Sequence, residues 1–115
     1  MNKQRRKSLH VILDGLEKLR DPIGKAEALD IIQKSASKVN DIADEEQEAL
    51  DARPETLQWS AANGDMEDNI SDLTDAASDL EVLAEKCEEL ETYSYEAIKS
   101  DVIGIVRKIN LPIHR

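Results

Sequence analysis

A heptad row of apolar residues constrains this chain more than any other feature of its sequence. Its members follow one another at alternating spacings of four and three residues: Met66, Ile70, Leu73, Ala77, Leu80, Ala84 and Cys87. This spacing places all of them on one face of an α-helix, and an apolar face of that length needs a partner helix. The row therefore predicts a helix that is packed along its whole length.

A second row of the same kind lies earlier in the chain. Its members are Leu29, Ile32, Ala36, Val39, Ala43 and Leu50, and Glu46 interrupts it. Residues 53–60 separate the two rows and contain Pro54, which disfavours helical backbone at the residue before it. Together the rows predict an antiparallel, coiled-coil-like helical hairpin.

Two further helices are predicted outside the hairpin. The first carries the stripe Leu9, Ile12, Leu16, Leu19 and Ile23. Asp21-Pro22 within this stripe is typical of a helix cap followed by proline, so the helix breaks or kinks there. The last carries the row Ile98, Val102, Ile105 and Ile109, and Pro112 is expected to stop it. We expect one all-α domain over residues 1–115, with helices at about 3–20, 22–52, 60–92 and 93–110.

The predicted core is thin. Hydrophobic residues make up 40% of the chain, but aromatic residues make up only 3%. The two hairpin rows are rich in alanine, which buries little area. Doubling the hairpin into a four-helix bundle would cover both rows, so we expect the chain to form a homo-oligomer.

The charge is distributed very unevenly. Residues 1–20 hold six Lys or Arg and two Asp or Glu, whereas residues 41–91 hold two Lys or Arg and eighteen Asp or Glu. The net charge of −10 hides this contrast. An acidic surface repels nucleic-acid phosphates, so we expect no direct nucleic-acid binding.

The sequence offers no pattern that indicates catalytic, cofactor-binding or metal-binding residues. His10 and His114 lack the spacing of zinc ligands, and the four glycines are scattered singly. The Glu-x-x-Glu spacing occurs at residues 45–48 and 85–88 and is similar to that of helical, metal-dependent nucleotide pyrophosphohydrolases. Here, however, the acids lie largely off the apolar rows, which favours a solvated face over an enzyme site.

Targeting signals are also missing from the pattern. No stretch approaches the roughly 18 consecutive apolar residues of a membrane span, and charged residues stand where a signal peptide needs an apolar run. We therefore expect a cytoplasmic protein without membrane association. The single cysteine, Cys87, lies on the apolar row and is expected to be a small buried side chain.

Candidate partner-binding residues lie in the turn and on the acidic helix that follows it. Leu57, Gln58 and Trp59 fall in a loop that needs only a few polar residues, and tryptophan is enriched at binding hot spots. The alternative is that Leu57 and Trp59 fold back over the end of the bundle, around a helix cap at Ser60. The candidates on the acidic helix are Asp68, Asp72, Asp75 and Asp79.

Four segments carry a resemblance to a known group of proteins. These are the Arg-Arg-Lys start at residues 5–7, the acidic run at 44–51, the Pro-Glu-x-Leu-Gln-x-Ser turn at 54–60 and the heptad start at 66–73. Together they resemble small helical-hairpin proteins of phages, prophages and bacterial mobile elements. That group has no assigned activity, so the resemblance implies a hairpin and a mobile-element setting, and no catalysis.

Three functions are consistent with this pattern. The leading hypothesis is a non-catalytic, all-α interaction protein of phage or mobile-element origin, which binds itself and another protein through its helices. The alternative is an acidic inhibitor that imitates DNA and blocks a nucleic-acid-binding host protein. The third hypothesis is a metal-dependent nucleotide hydrolase.

Overall fold

Four α-helices make up most of the chain in a computed structural model, which describes residues 1–55 and 60–115. α1 spans Lys3–Glu17 and runs into a 3-10 turn at Lys18–Arg20, α2 spans Lys25–Asp51, α3 spans Ala61–Glu89 and α4 spans Tyr95–His114. The described residues contain no strand, and none of their helices has a stretch both long and apolar enough to cross a membrane. The all-α fold class predicted from the heptad rows is confirmed.

The helices pack as a ring of antiparallel neighbours. α2 and α3 form the predicted hairpin, α1 lies against α2, and α4 lies against α3. α1 and α4 also contact each other, which closes the ring. A single chain thus builds an elongated four-helix bundle with extents of 54 × 21 × 19 Å.

The two predicted rows lie in the core of this bundle. On α2 and α3 most of their members are buried, with Ile32, Val39, Leu73 and Leu80 completely inaccessible to solvent. The side chains that cover them come from the predicted stripes of the outer helices: Leu9, Ile12, Leu16, Leu19, Ile98, Val102, Ile105 and Ile109. The hairpin is therefore covered by α1 and α4 of the same chain, and a second copy is not required to shield its rows from water.

The break between α1 and α2 occurs at the predicted place, but α2 begins later than predicted. Asp21 is extended, with φ −74° and ψ 161°, as a residue before proline prefers. Pro22 therefore does not open the helix, and the chain stays irregular until Gly24, the extended residue that precedes Lys25. The predicted start at about residue 22 is corrected to Lys25.

The ends of the other helices show one agreement and two differences. α3 ends at Glu89 and not at about residue 92, because Leu90 is extended, with ψ 135°. Ser60 caps α3 as predicted, because its side chain accepts a hydrogen bond from the backbone N–H of Asn63 at 3.3 Å. α4, by contrast, continues through Pro112 to His114. Proline costs the helix one backbone hydrogen bond, but Pro112 and Ile113 are buried against the bundle, which offsets that loss. The predicted end at about residue 110 is wrong.

A tyrosine ties the connection between α3 and α4 to the end of α1. The hydroxyl of Tyr93 donates a hydrogen bond to the carbonyl oxygen of Leu19 at 2.5 Å. Burial raises the pKa of Tyr93 to about 12, with smaller contributions from the neighbouring Cys87 and Tyr95. The raised pKa means that the folded bundle favours the neutral, hydrogen-bonding form of this side chain.

We expect Tyr93→Phe to lower the melting temperature at neutral pH by about 4 °C, because one hydrogen bond is worth about 1 kcal/mol. In the unfolded chain tyrosine has a pKa near 10, so the stabilisation is complete below pH 10 and is lost as pH rises toward 12. The difference between wild type and Tyr93→Phe should therefore shrink over that interval in melts followed by circular dichroism.

Tyr95→Phe is the matched control, since the hydroxyl of Tyr95 has no hydrogen-bond partner among the described residues. Its melting temperature at neutral pH should be equal to or higher than that of wild type, because a buried hydroxyl without a partner does not stabilise the fold. An equal loss of stability in both variants would contradict a specific role for the Tyr93 hydrogen bond.

Candidate functional site

A buried carboxylate lies at the end of the bundle where α1 begins. Glu46 of α2 is completely inaccessible to solvent. Its Oε1 accepts a hydrogen bond from Nε of Arg5 at 3.2 Å, and Nη2 of the same arginine lies 3.1 Å away. Its Oε2 accepts a hydrogen bond from Nδ2 of Asn69 at 2.8 Å. Both oxygens are paired, which compensates for the removal of the charge from water.

The contacts continue from Asn69 to α4. Nη1 of Arg115 donates a hydrogen bond to Oδ1 of Asn69 at 3.0 Å. The same nitrogen lies 2.8 Å from Oδ2 of Asp72, in an ion pair whose angles are unfavourable for a hydrogen bond. We call Arg5, Glu46, Asn69, Asp72 and Arg115 the polar network. It connects all four helices at one level of the bundle.

The polar network has the properties of a structural element. Its positive and negative groups are paired with one another, so the arrangement leaves no activated acid, base or nucleophile in a cleft. A buried carboxylate that loses its partners is costly, and sliding α2 along its neighbours would separate Glu46 from Arg5 and Asn69. The network therefore fixes the register of the helices and the direction in which the hairpin projects.

Sequence reasoning does not find this network. In the sequence Glu46 is only an interruption of an apolar row, and the heptad spacing assigns Ile70 to the buried face, where Asn69 is more deeply buried. One signal in the sequence points to the network. A carboxylate at a core position needs a cation, and Arg5 and Arg6 lie near the start of α1. The choice between those two arginines depends on the rotation of α1, which the sequence does not specify.

The hairpin projects past the level of the polar network. α2 continues to Asp51 after Glu46, and α3 begins at Ala61, before Asn69. At 1.5 Å per residue the two helices extend by about 8 Å and about 12 Å beyond the network. This end carries exposed carboxylates, which we call the acidic tip: Glu48, Asp51, Glu55, Asp65, Glu67 and Asp68.

Little positive charge offsets the acidic tip. Arg53 is the one Lys or Arg between residues 47 and 68. It is half-buried, and its Nη1 lies 3.9 Å from the sulfur of Met66. Within residues 1–55 and 60–115, no Lys or Arg forms an ion pair with the six carboxylates. Such a cluster creates a negative potential that attracts cationic surfaces.

The acids of α3 predicted to bind a partner differ in their surroundings. Asp68 and Asp75 are exposed and form no ion pair in the described part of the chain. Asp72 belongs to the polar network, and Oδ2 of Asp79 lies 2.6 Å from Nζ of Lys108. The hydrogen bond from Lys108 to Asp79 raises the pKa of the lysine. Lys108 and Arg115 therefore neutralise two of the four predicted acids, Asp79 and Asp72.

Leu57, Gln58 and Trp59 lie outside the described residues, so both interpretations of the turn remain predictions. Cys87 is completely buried, as its place on the apolar row predicts, and burial raises the pKa of its thiol. In residues 1–55 and 60–115, no group of three or more His, Cys, Asp or Glu side chains is placed to hold a metal ion.

Comparisons with known proteins identify no relative. No protein-family model, curated protein or solved structure gives a significant match to this chain.

Removing the buried carboxylate should destabilise the bundle strongly. We expect Glu46→Ala to lower the free energy of unfolding by about 3 kcal/mol, because Arg5 is left in a largely buried position without its partner. Urea denaturation followed by circular dichroism measures this loss. Glu48→Ala is the matched control on the same helix, since Glu48 is exposed, and it should change the free energy of unfolding by less than about 0.5 kcal/mol. Equal effects of the two changes would show that the polar network does not hold the helices.

Proposed function

We propose that this chain is a non-catalytic protein-interaction module whose acidic tip binds a basic surface of a partner protein. The observation that carries the proposal is the set of exposed carboxylates at the projecting end of the hairpin, which form no ion pair among the described residues. Asp72 and Asp79, by contrast, are paired with Arg115, which follows α4, and with Lys108 of α4. Unpaired charge of one sign on a rigid support accelerates and orients the binding of an oppositely charged surface.

The setting of this interaction is part of the proposal. The resemblance of residues 5–91 to small helical-hairpin proteins supports an origin in a phage or another mobile element. A location in the cytoplasm of a bacterial cell is part of the same proposal. The partner would then be a protein of the bacterial cell or of the same mobile element.

A second candidate is that the acidic tip occupies the nucleic-acid-binding surface of its partner. The bundle is 21 × 19 Å in cross-section, comparable with the width of a DNA duplex. Asp65, Asp68, Asp72 and Asp75 follow one another along α3 at a rise of about 5 Å. The pairing of Asp72 with Arg115 weakens this candidate, because a mimic of the phosphate array needs unneutralised charges.

Neutralising the acidic tip should abolish partner binding. We expect the triple change Asp65→Asn, Glu67→Gln and Asp68→Asn to reduce recovery of a basic partner at least about tenfold, because the electrostatic attraction is lost. The measurement is affinity purification of the tagged full chain from a bacterial lysate with quantitative mass spectrometry. Binding to wild type should weaken as salt rises.

The matched control neutralises three exposed acids near the other end of α3, at Glu85, Glu88 and Glu89, by substitution with glutamine. It removes the same charge and should keep the partner. Equal recovery with both triple variants would refute binding by the acidic tip. Release of the partner by duplex DNA would favour the nucleic-acid mimic, whereas retention would favour a different basic surface.

A further inference from the structure

A shallow groove runs along the outside of α1 and α2. Its floor is apolar and contains Ile12, Ile31 and Ile42 together with Val11. Val11 is 56% exposed, although valine prefers burial. Gly15 lies in the same groove and leaves its floor open, since a Cβ at this position would meet nothing within 4 Å. We call this surface the α1–α2 groove.

Charged residues of α2 border the groove in a fixed order. Asp30, Lys34 and Lys38 lie along one half, with Lys18 opposite them, and Asp41 and Glu45 lie along the other half. Lys38, Asp41 and Glu45 form no ion pair in residues 1–55 and 60–115, and Lys34 is 68% exposed in a pair with Asp30. The spacings of four, three and four residues keep these four charges on one face of α2.

This order of charges is complementary to itself. A two-fold axis perpendicular to α2, between Lys38 and Asp41, places each of these residues opposite the other in a second copy. The same rotation places Lys34 opposite Glu45. These four charges of α2 therefore each meet an opposite charge, and each pair occurs twice.

Val11, the exposed apolar residue of the groove, lies at the same axis. The contact between Arg5 and Glu46 sets the register of the antiparallel helices α1 and α2. In that register Val11 is level with the middle of the charged border, and it lines both halves of the groove together with Lys38. The Val11 side chains of two copies would therefore meet at the centre of the interface.

We propose that the α1–α2 groove is the interface of a symmetric homodimer, in which the α2 helices of the two copies run antiparallel. The apolar floor closes around the paired Val11 side chains, and the charges of α2 pair across the axis. The acidic tip takes no part in this dimer, so the dimer and the partner of the acidic tip are tested independently.

The corresponding surface between α3 and α4 shows why the α1–α2 groove is distinctive. It also contains an exposed valine, Val82, which is 64% exposed. There, however, all four charges pair from one helix to the other: Lys86 with Asp101 at 2.8 Å, and Lys108 with Asp79 at 2.6 Å. These pairs link α3 to α4, so their charges are already neutralised. Val82 therefore provides a control position of similar exposure.

Sedimentation equilibrium of the full chain tests the dimer and its charge pairs. Wild type should change from monomer to dimer between about 1 and about 100 µM. Lys38→Glu should raise the dissociation constant about tenfold, because two attractive pairs become repulsive. Adding Asp41→Lys should restore it to within about threefold. Lys99→Glu makes the same charge change on an exposed site of α4 and should have no effect.

Cysteine cross-linking tests the position of the axis. Val11→Cys should form a disulfide-linked dimer when oxidised glutathione is added, because two-fold symmetry brings the substituted positions together. Val82→Cys should remain monomeric on non-reducing gels, and Cys87 is buried and does not react. A wild-type chain that stays monomeric at about 100 µM, failure of Asp41→Lys to rescue, or equal cross-linking at the two valines would each overturn the proposal.

Discussion

The arrangement of the four helices depends on the pairing of one buried carboxylate. The rows of α2 and α3 are rich in alanine, and small side chains that resemble one another pack almost equally well when two helices slide by one turn. Apolar burial alone therefore leaves the register weakly determined. Glu46 removes this ambiguity, since it finds Arg5 and Asn69 in only one register, and leaving it unpaired in the core costs several kcal/mol.

The same pairing determines which acids of the hairpin remain free. α1 and α4 supply cations to the hairpin through Arg5, Lys108 and Arg115. These outer helices are 15 and 20 residues long, whereas α2 and α3 are 27 and 29 residues long. The hairpin therefore outreaches its cover at the end held by the polar network, and the carboxylates beyond that level have no cation from α4.

Heptad spacing predicted the helical hairpin and most of its buried positions, because a regular apolar row specifies both a helix and its inner face. The cap at Ser60 could also be predicted from the sequence, since it depends on local backbone chemistry. The polar network and the continuation of α4 through Pro112 could not be predicted, because both depend on contacts between side chains that are distant in the sequence. The excess of acidic residues between residues 41 and 91 was visible in the sequence. Their division into paired and unpaired acids needs the positions of Lys108 and Arg115.

The energetics of the acidic tip support a role in binding. Negative charge near the C-terminal end of a helix opposes the helix macrodipole, so Glu48 and Asp51 cost α2 a few tenths of a kcal/mol each. Asp65, near the start of α3, is favoured by the dipole of that helix but lies among carboxylates of the same sign. No Lys or Arg of the described residues forms an ion pair with these carboxylates. A basic partner would lower the free energy of these unpaired charges on association, so binding of a basic surface by the acidic tip would be electrostatically favourable.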